Sequence, residues 1–351
     1  MINHSARIGD LPATHSQTAV TKVSLVIPVR DEAESVGRLI QSIRSQTKEP
    51  DEVIFVDGGS RDSTIEILRR ACQQDPRIRL IEARKALPGH GRNIGVANAT
   101  FDWIAFTDAG NQLEPEWLEQ LIAVANSDPE TGIVCGNFEP IADSFFKRCA
   151  AIAYVSEKTP RDNGNVRGPF IASSLVRRDV WHAAGGFPDL RAAEDLIFFE
   201  EIEKKGFKFK WAPRATVHWE MQPTFARTFR RFFLYSCVNV WAKRQQYWHH
   251  GVARMYALAL PFLILAAWKS AWWLLLPLAG ICARVGSKIW RSRKGRSLLW
   301  VLNPLQFGYV LMITLVLDLA TFAGWIKALF KRRDARRITE HMRTRLGDQP
   351  Q

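Results

Sequence analysis

Acidic residues placed where apolar strands should end are the first side chains in this chain that could do chemistry. Val53–Val56 reads as a buried strand, Asp57 falls where it should stop, and Gly58-Gly59 allows a sharp turn. Asp108 follows the apolar run Trp103–Thr107 in the same way. Glu194-Asp195 follows the turn Gly185-Gly186-Phe187-Pro188 and opens a helical pattern that Gly206 terminates. In open α/β sheets the crevice beyond the carboxyl ends of the strands is where ligands bind, so each of these acids is a candidate ligand contact. A second reading stands beside it, in which Asp57 merely caps the next helix and Glu194-Asp195 is helix-cap chemistry. The residues alone leave both open.

The elements that must position these acids alternate. Val23–Ile27 is a first buried strand stopped by Pro28, and Asp31–Glu34 opens a helix carrying Val36, Leu39, Ile40 and Ile43 at helical spacing. Ser63–Glu66 fits a capping box ahead of Ile65, Leu68 and Cys72. A third strand over Ile78–Ala83 leads to a loop with Pro88, Gly89 and Gly91, and Arg92–Ala99 is a small-residue helix able to pack close to the sheet. After Asp108, Pro115 stands at a first helical position ahead of Trp117, Leu118, Leu121 and Ile122. Later come strands over Ile133–Phe138 and Phe170–Val176, a helix from Arg178, and short strands over Phe207–Trp211 and Ala215–Trp219. Strand–helix alternation of this kind predicts an α/β fold with a mostly parallel sheet covered on both faces.

Composition narrows the partners. A formal charge of +13 points to anions: nucleotides, phospholipid head groups or nucleic acid. Acids concentrate in residues 23–220 and the basic excess in 227–345, beside many of the 13 Trp, a pattern suited to a bilayer interface. No zinc-finger, helix-turn-helix or RNA-binding signature favours nucleic acid. The five cysteines show no metal spacing and read as small core residues of a reduced compartment. Residues 1–21 lack the apolar core of a secretory signal and read as a flexible tail.

Beyond Gln222 the pattern changes. Phe225, Phe229 and Phe232 alternate with Arg227, Arg230 and Arg231, as in an amphipathic helix lying on an anionic membrane surface over 223–252. Met255–Ala267 and Ala271–Ala283 are nearly all apolar, each short of the ~20 residues of a span, and Leu298–Leu329 is long enough for one. Basic clusters at Arg284–Arg296 and Lys327–Arg337 flank them. The positive-inside tendency puts both clusters in the cytoplasm, with 254–283 re-entrant; two conventional spans would leave the first cluster outside. The expected division is therefore a tail at 1–21, a catalytic domain at 22–222, an interfacial region at 223–252, membrane-embedded helices at 253–330 and a basic tail at 331–351.

Taken in order, Val-Ser-Leu-Val-Ile-Pro-Val-Arg-Asp-Glu (23–32), Val-Asp-Gly-Gly-Ser-Arg-Asp-Ser-Thr (56–64), Gly-Arg-Asn-Ile-Gly (91–95), Ala-Phe-Thr-Asp-Ala-Gly (105–110) and Ala-Glu-Asp-Leu (193–196) resemble the family-2 glycosyltransferases. The resemblance covers roughly residues 22–235 and implies a GT-A fold in a membrane-associated member. It places Asp57 against the nucleobase of a nucleotide sugar, with Pro28, Arg30 and Glu32 flanking base and ribose. Arg92 would lie near the nucleotide, where a guanidinium suits phosphate; as a bare residue it is also a surface cation at a helix start. Asp108 resembles the first carboxylate of the family's Asp-x-Asp motif, in which two acids hold Mg²⁺ or Mn²⁺ against the diphosphate.

This chain departs from that motif, because position 110 is Gly. Gln112 matches a Gln that polyprenyl-phosphate sugar transferases carry two residues after the motif, and His218 is a further possible ligand as well as an ordinary strand-end histidine. Asp195 matches the general base that takes the acceptor's proton, with Glu194 orienting the acceptor or Asp195's neighbours, and single displacement there implies inversion at the sugar carbon. Residues 227–232 only partly match the Gln-x-x-Arg-Trp segment of processive members, so polymerisation is disfavoured. Arg230 or Arg231 would bind a donor or lipid phosphate, or would snorkel to head groups.

Together these imply an inverting transferase in the inner (cytoplasmic) membrane with its catalytic domain in the cytoplasm. It would move a sugar from a UDP- or GDP-sugar to a lipid-linked or saccharide acceptor in surface glycan synthesis. The alternative is a non-catalytic sugar-nucleotide-binding membrane scaffold whose metal motif has decayed. A dinucleotide oxidoreductase is excluded, since no Gly-x-Gly-x-x-Gly follows the first strand.

Overall fold

Continuous apolar runs form the centre of the sheet because a strand covered on both faces has no reason to alternate. The computed structural model describes residues 21–161 and 164–330. The expectations for residues 1–20, for the tail at 331–351 and for the far part of the Lys327–Arg337 cluster lie outside the described residues. The first half contains β1 (Val23–Val29), α1 (Val36–Arg44), β2 (Glu52–Asp57), α2 (Thr64–Gln74), β3 (Ile78–Glu82), α3 (Pro88–Asn98) and β4 (Trp103–Phe106). Then come β5 (Asn111–Leu113), α4 (Trp117–Ala125), β6 (Ile133–Ile141) and α5 (Phe145–Tyr154). A small hairpin of β7 (Thr159–Arg161) and β8 (Gly164–Val166) precedes β9 (Ser174–Arg177), α6 (Arg178–Ala183), α7 (Glu194–Lys204) and β10 (Phe209–Glu220).

The main sheet runs β3-β2-β1-β4-β9-β6-β10-β5. β1 is parallel to β2 and β4, β2 to β3, and β6 to β10, while β9 runs antiparallel between β4 and β6. The carboxyl ends of β1, β2, β4, β6 and β10 therefore open on one side of the sheet. Leu39, Ile43, Leu68, Trp117 and Leu121 of α1, α2 and α4 cover one face. Val96, Val180, Phe198 and Ile202 of α3, α6 and α7 cover the other.

Local departures from the sequence reading have local causes. β1 does not stop at Pro28: Pro28 pairs with Val56, and Gly58 donates to the Val29 carbonyl, so only an acceptor is needed at that end. The first helix starts at Val36 rather than at the acids before it. Ser63 makes no side-chain cap; Asp62 accepts from the Thr64 N–H at 3.1 Å and starts α2 instead. α3 begins at Pro88, inside the expected loop, because a proline at the first helical position gives up no needed hydrogen bond. The two short strands expected over 207–219 are one strand, β10, whose register against β6 shifts between Trp211 and Thr216.

α3 lies close to β1 because Gly95 faces it: a Cβ there would stand 2.3 Å from Val26 Cγ1. Gly95→Ala is therefore expected to cost about 1–2 kcal/mol, overpacking outweighing the better helix propensity. Gly37→Ala in α1, where no atom lies within 4 Å, should instead be neutral or stabilising. Thermal unfolding of the two variants checks both signs.

The C-terminal part is helical: α8 (Phe225–Trp241), α9 (His249–Trp268), α10 (Leu275–Arg291), α11 (Leu298–Val301) and α12 (Pro304–Phe330). α8 does not lie free on its apolar side as a surface helix would. It is clamped between the first domain and α12, where Gly324 lets the backbones approach, a Cβ there being 2.6 Å from the Phe233 carbonyl oxygen. α9 and α12 are long and apolar enough to cross a membrane; the apolar window of α9 is wholly unburied and that of α12 is partly buried.

Candidate functional site

The carboxyl ends of the strands open into a cavity of about 1490 Å³, walled by the segments after β1, β2 and β4, the start of α7, and α8. Pockets for single small ligands hold roughly 300–1,000 Å³, so there is room for two substrates.

Arg92 is part of its wall. Gly91 lets the first turn of α3 rest on Pro28, and Gly89 lets it approach Pro188 and Glu194; a Cβ at Gly89 would fall 2.1 Å from the Pro188 carbonyl oxygen. Wedged there, Arg92 is 2% exposed and donates to Glu194 Oε1 at 2.8 Å and to Asp108 Oδ1 at 2.7 Å. Among the described residues its Nε has no hydrogen-bond partner, while the guanidinium lies over the Phe187 ring. The expectation of a surface cation is thus ruled out.

Glu194 and Asp195 open α7 behind Ala193, a non-glycine residue held at φ 65°. Left-handed backbone of this kind costs on the order of 1 kcal/mol and persists only where its surroundings fix it. Glu194 is buried against Arg92, and Asp195 is half-buried with its carboxylate accepting from the Leu196 N–H at 2.8 Å. Burial lifts both carboxyls above their ordinary range; the Asp195 charge adds to the rise at Glu194, and Arg92 opposes it at both.

Asp57 has a different place from the one the resemblance implied. It is buried, and its oxygens accept from the Gly59 N–H at 2.8 Å, the Ser60 N–H and the Ser60 hydroxyl. It closes the turn after β2, and Gly58 rather than Asp57 walls the cavity. Pro28, Arg30 and Glu32 do line it, as do Asp31 and Asp62, which the sequence reading passed over. Asp31 and Asp62 tie the two loops together, Asp31 accepting from the Arg61 N–H and Asp62 from the Ala33 N–H. Burial is the first cause that raises the Glu32 carboxyl, and the Asp108 charge adds to it against the hydrogen bond from Ser35.

The two arginines of α8 separate. Arg230 is exposed and outside the cavity wall, whereas Arg231 lines it, stacked over the Trp219 ring and donating to the Tyr235 hydroxyl at 2.7 Å. Trp219, Tyr154 and Tyr235 were missed; the clustering of aromatics with arginine after residue 211 was the one signal for Trp219 and Tyr235, and Tyr154 had none. His218 does not reach the cavity wall. It pairs with Gln112 in register between β10 and β5, and its ring bonds to Glu114.

For a hard divalent cation the donor chemistry is oxygen. Asp108 offers Oδ2, which takes no hydrogen bond among the described residues, and Gln112 also lines the cavity. Gly110 contributes no side chain, and no three His, Cys, Asp or Glu cluster among the described residues. A Cβ on Gly110 would meet one atom, Glu32 Oε2, at 3.7 Å. These are oxygen donors of the kind that Mg²⁺ or Mn²⁺ takes.

Residues 24–183 match the family model described as Glycosyl transferase family 2. Among curated relatives, the putative glycosyltransferase EpsH of Bacillus subtilis is 28% identical over 50% of this chain and 54% of its own length. The O-antigen chain rhamnosyltransferase RfbN of Salmonella typhimurium is 24% identical over 64% of this chain and 75% of its own. The chain thus spans about half the length of the Bacillus relative. Among solved structures, the mannosyltransferase PcManGT from Pyrobaculum calidifontis, in complex with GDP-Man and Mn²⁺, superposes with a TM-score of 0.61 at 18% identity, covering 89% of this chain and 88% of that one. That likeness shows the fold, a GT-A type α/β sheet followed by apolar helices. Motifs, fold and family match agree on a family-2 glycosyltransferase domain over residues 24–183.

Proposed function

We propose that this protein is an inverting glycosyltransferase that moves a sugar from a nucleotide-sugar donor onto a lipid-linked or membrane-proximal saccharide acceptor in surface glycan synthesis. The observation that carries this reading is the Asp108–Arg92–Glu194 chain that ends beside Asp195 on one cavity wall.

Arg92 and Arg231 bring positive charge toward the nucleotide's diphosphate. An acceptor hydroxyl attacks the anomeric carbon and passes its proton to Asp195. The bond from that carbon to the diphosphate oxygen breaks, and the nucleoside diphosphate leaves with the electron pair. One displacement inverts the carbon. A carboxyl lifted by burial is a stronger base than a free one, which suits Asp195 to the proton transfer. Glu194, pinned by Arg92, fixes the start of α7 and so the aim of Asp195. Bound Mg²⁺ or Mn²⁺, held by Asp108 and Gln112, would stabilise charge on the leaving diphosphate.

Membrane placement is supported by α9 and α12, and by the cavity's continuation along α8 to Tyr247 and Trp248 at the foot of α9. An acceptor carried by lipid would arrive from that side, with the catalytic domain in the cytoplasm where nucleotide sugars are made. The test is a donor profile on membranes containing the full chain. UDP- and GDP-sugars are supplied with lipid extract, and nucleoside diphosphate release and lipid labelling are read together. Release with a labelled lipid is the expected result; nucleotide-sugar binding without turnover of any donor would mean a scaffold.

A further inference from the structure

Most cations in the cavity wall are engaged. Arg30, Arg38, Arg92 and Lys147 each have a carboxylate within 4.0 Å, and Arg231 gives its Nε to the Tyr235 hydroxyl. Arg191 and Arg227 also line the cavity, and among the described residues neither side chain has a carboxylate or hydrogen-bond partner. Arg227 stands one turn before Arg231 on α8, toward Trp219. Arg191 stands apart from both, exposed on the loop that leads into Glu194 and Asp195. On either side of it Leu190 and Ala192 are buried in one apolar cluster with Val238 and Ala242 at the end of α8. That contact lies about 10 Å along the helix from Arg231. Asn239, Tyr247 and Trp248 wall the cavity around and beyond it, so Arg191 belongs to the end where α8 gives way to α9.

We propose that Arg191 is a specificity residue of the acceptor side: its guanidinium takes an anionic group, a phosphate or a carboxylate, carried by the acceptor whose hydroxyl is presented to Asp195. This rests on the glycosyltransferase reading and extends it by naming the chemistry of the second substrate. Arg92 and Arg231 already bring cations to the donor diphosphate, which leaves Arg191 for the other reactant. A guanidinium without an ion partner keeps a planar fork of free N–H donors, and that fork matches the paired oxygens of phosphate and carboxylate. The four residues from Arg191 to Asp195 reach no more than about 14 Å, so the anion sits near the reacting hydroxyl and not on a distant unit of the acceptor. Its two sources are a phosphate that joins lipid to sugar and the carboxylate of an acidic sugar.

The test uses the full chain in membranes, with the donor it turns over, and reads the half-saturating amount of lipid extract. Arg191→Gln should raise that amount about tenfold or more, the effect of losing a charge-assisted hydrogen bond, and leave the donor KM where it was. Arg191→Lys should recover part of the loss, since a point charge remains without the fork. Two pairs of probes, tried as competitors of the extract, name the source: farnesyl phosphate beside farnesol, and methyl glucuronide beside methyl glucoside. In the wild type one anion should compete better than its neutral counterpart, and Arg191→Gln should erase that advantage. Farnesyl phosphate as the better competitor means a lipid phosphate; the glucuronide means an acidic sugar. Unchanged extract saturation in Arg191→Gln, or neutral probes that compete as well as charged ones, overturns the inference and leaves the transferase reading standing. A donor KM that rises as much as the extract requirement puts Arg191 on the nucleotide and overturns it too. Absence of both nucleotide binding and turnover overturns both.

Discussion

Asp195→Asn is expected to lower sugar transfer by about 10²–10⁴-fold while nucleotide-sugar binding stays near that of the wild type, because it removes only the group that accepts the acceptor's proton. The substitution keeps size and the hydrogen bond from the Leu196 N–H, so α7 should hold its start. Its signature is in the pH profile. Burial raises the Asp195 carboxyl in the folded protein, so wild-type activity should fall on the acid side at a pH above the usual carboxylate range, as the base protonates. In the variant that limb should disappear along with the rate. The measurement is initial rate against pH with whichever donor the wild type turns over, beside a binding titration of the same donor. Activity within tenfold of wild type, with the acid limb intact, would move the base to another residue. Glu194 is the poorer candidate, being buried and held by Arg92.

Much of this site was legible because buried parallel strands announce themselves. Val53–Val56 and Trp103–Phe106 are apolar without alternation, so the acids at their ends could be placed at the sheet's open edge before any contact was known. What the chain could not reveal was which way each side chain turns. Asp57 and Asp108 look alike in sequence, yet one is consumed by a turn of its own and the other faces the cavity. Only the donors offered by Gly59 and Ser60, against the guanidinium offered by Arg92, separate them. Arg230 and Arg231 are the same problem on a helix: adjacent residues point about 100° apart, and the packing of α12 on α8 decides which faces the cavity. β5 could not be read at all, since a strand of three residues exists only because β10 supplies its partner. Glu32 and Gly110 meet through tertiary contact alone, and neither residue hints at the other.

Arg92→Met should be the most damaging single change to the folded state. The guanidinium is almost wholly buried and serves two carboxylates, one of them in the interior. Removing it leaves Glu194 beside Asp195 with no paired cation among the described residues, and breaking a buried pair from one side costs about 3–5 kcal/mol. The loss has a direction in pH. Burial and the Asp195 charge already raise the Glu194 carboxyl in the folded protein, and Arg92 pulls it back down. A carboxyl raised on folding binds more protons in the native state than in the unfolded one, so stability falls as pH rises from its unfolded value through its folded value. Without Arg92 the rise is larger, and that fall becomes deeper and extends to higher pH. The variant should therefore come closest to wild-type stability in mild acid and diverge from it toward neutral pH. Adding Glu194→Gln should recover part of the loss at neutral pH by deleting the stranded charge, and should flatten the pH dependence. Denaturant unfolding followed by tryptophan fluorescence across the acid-to-neutral range supplies both readings. A stability deficit independent of pH, or unrelieved by Glu194→Gln, would mean that Arg92 acts by filling space over Phe187 rather than by charge.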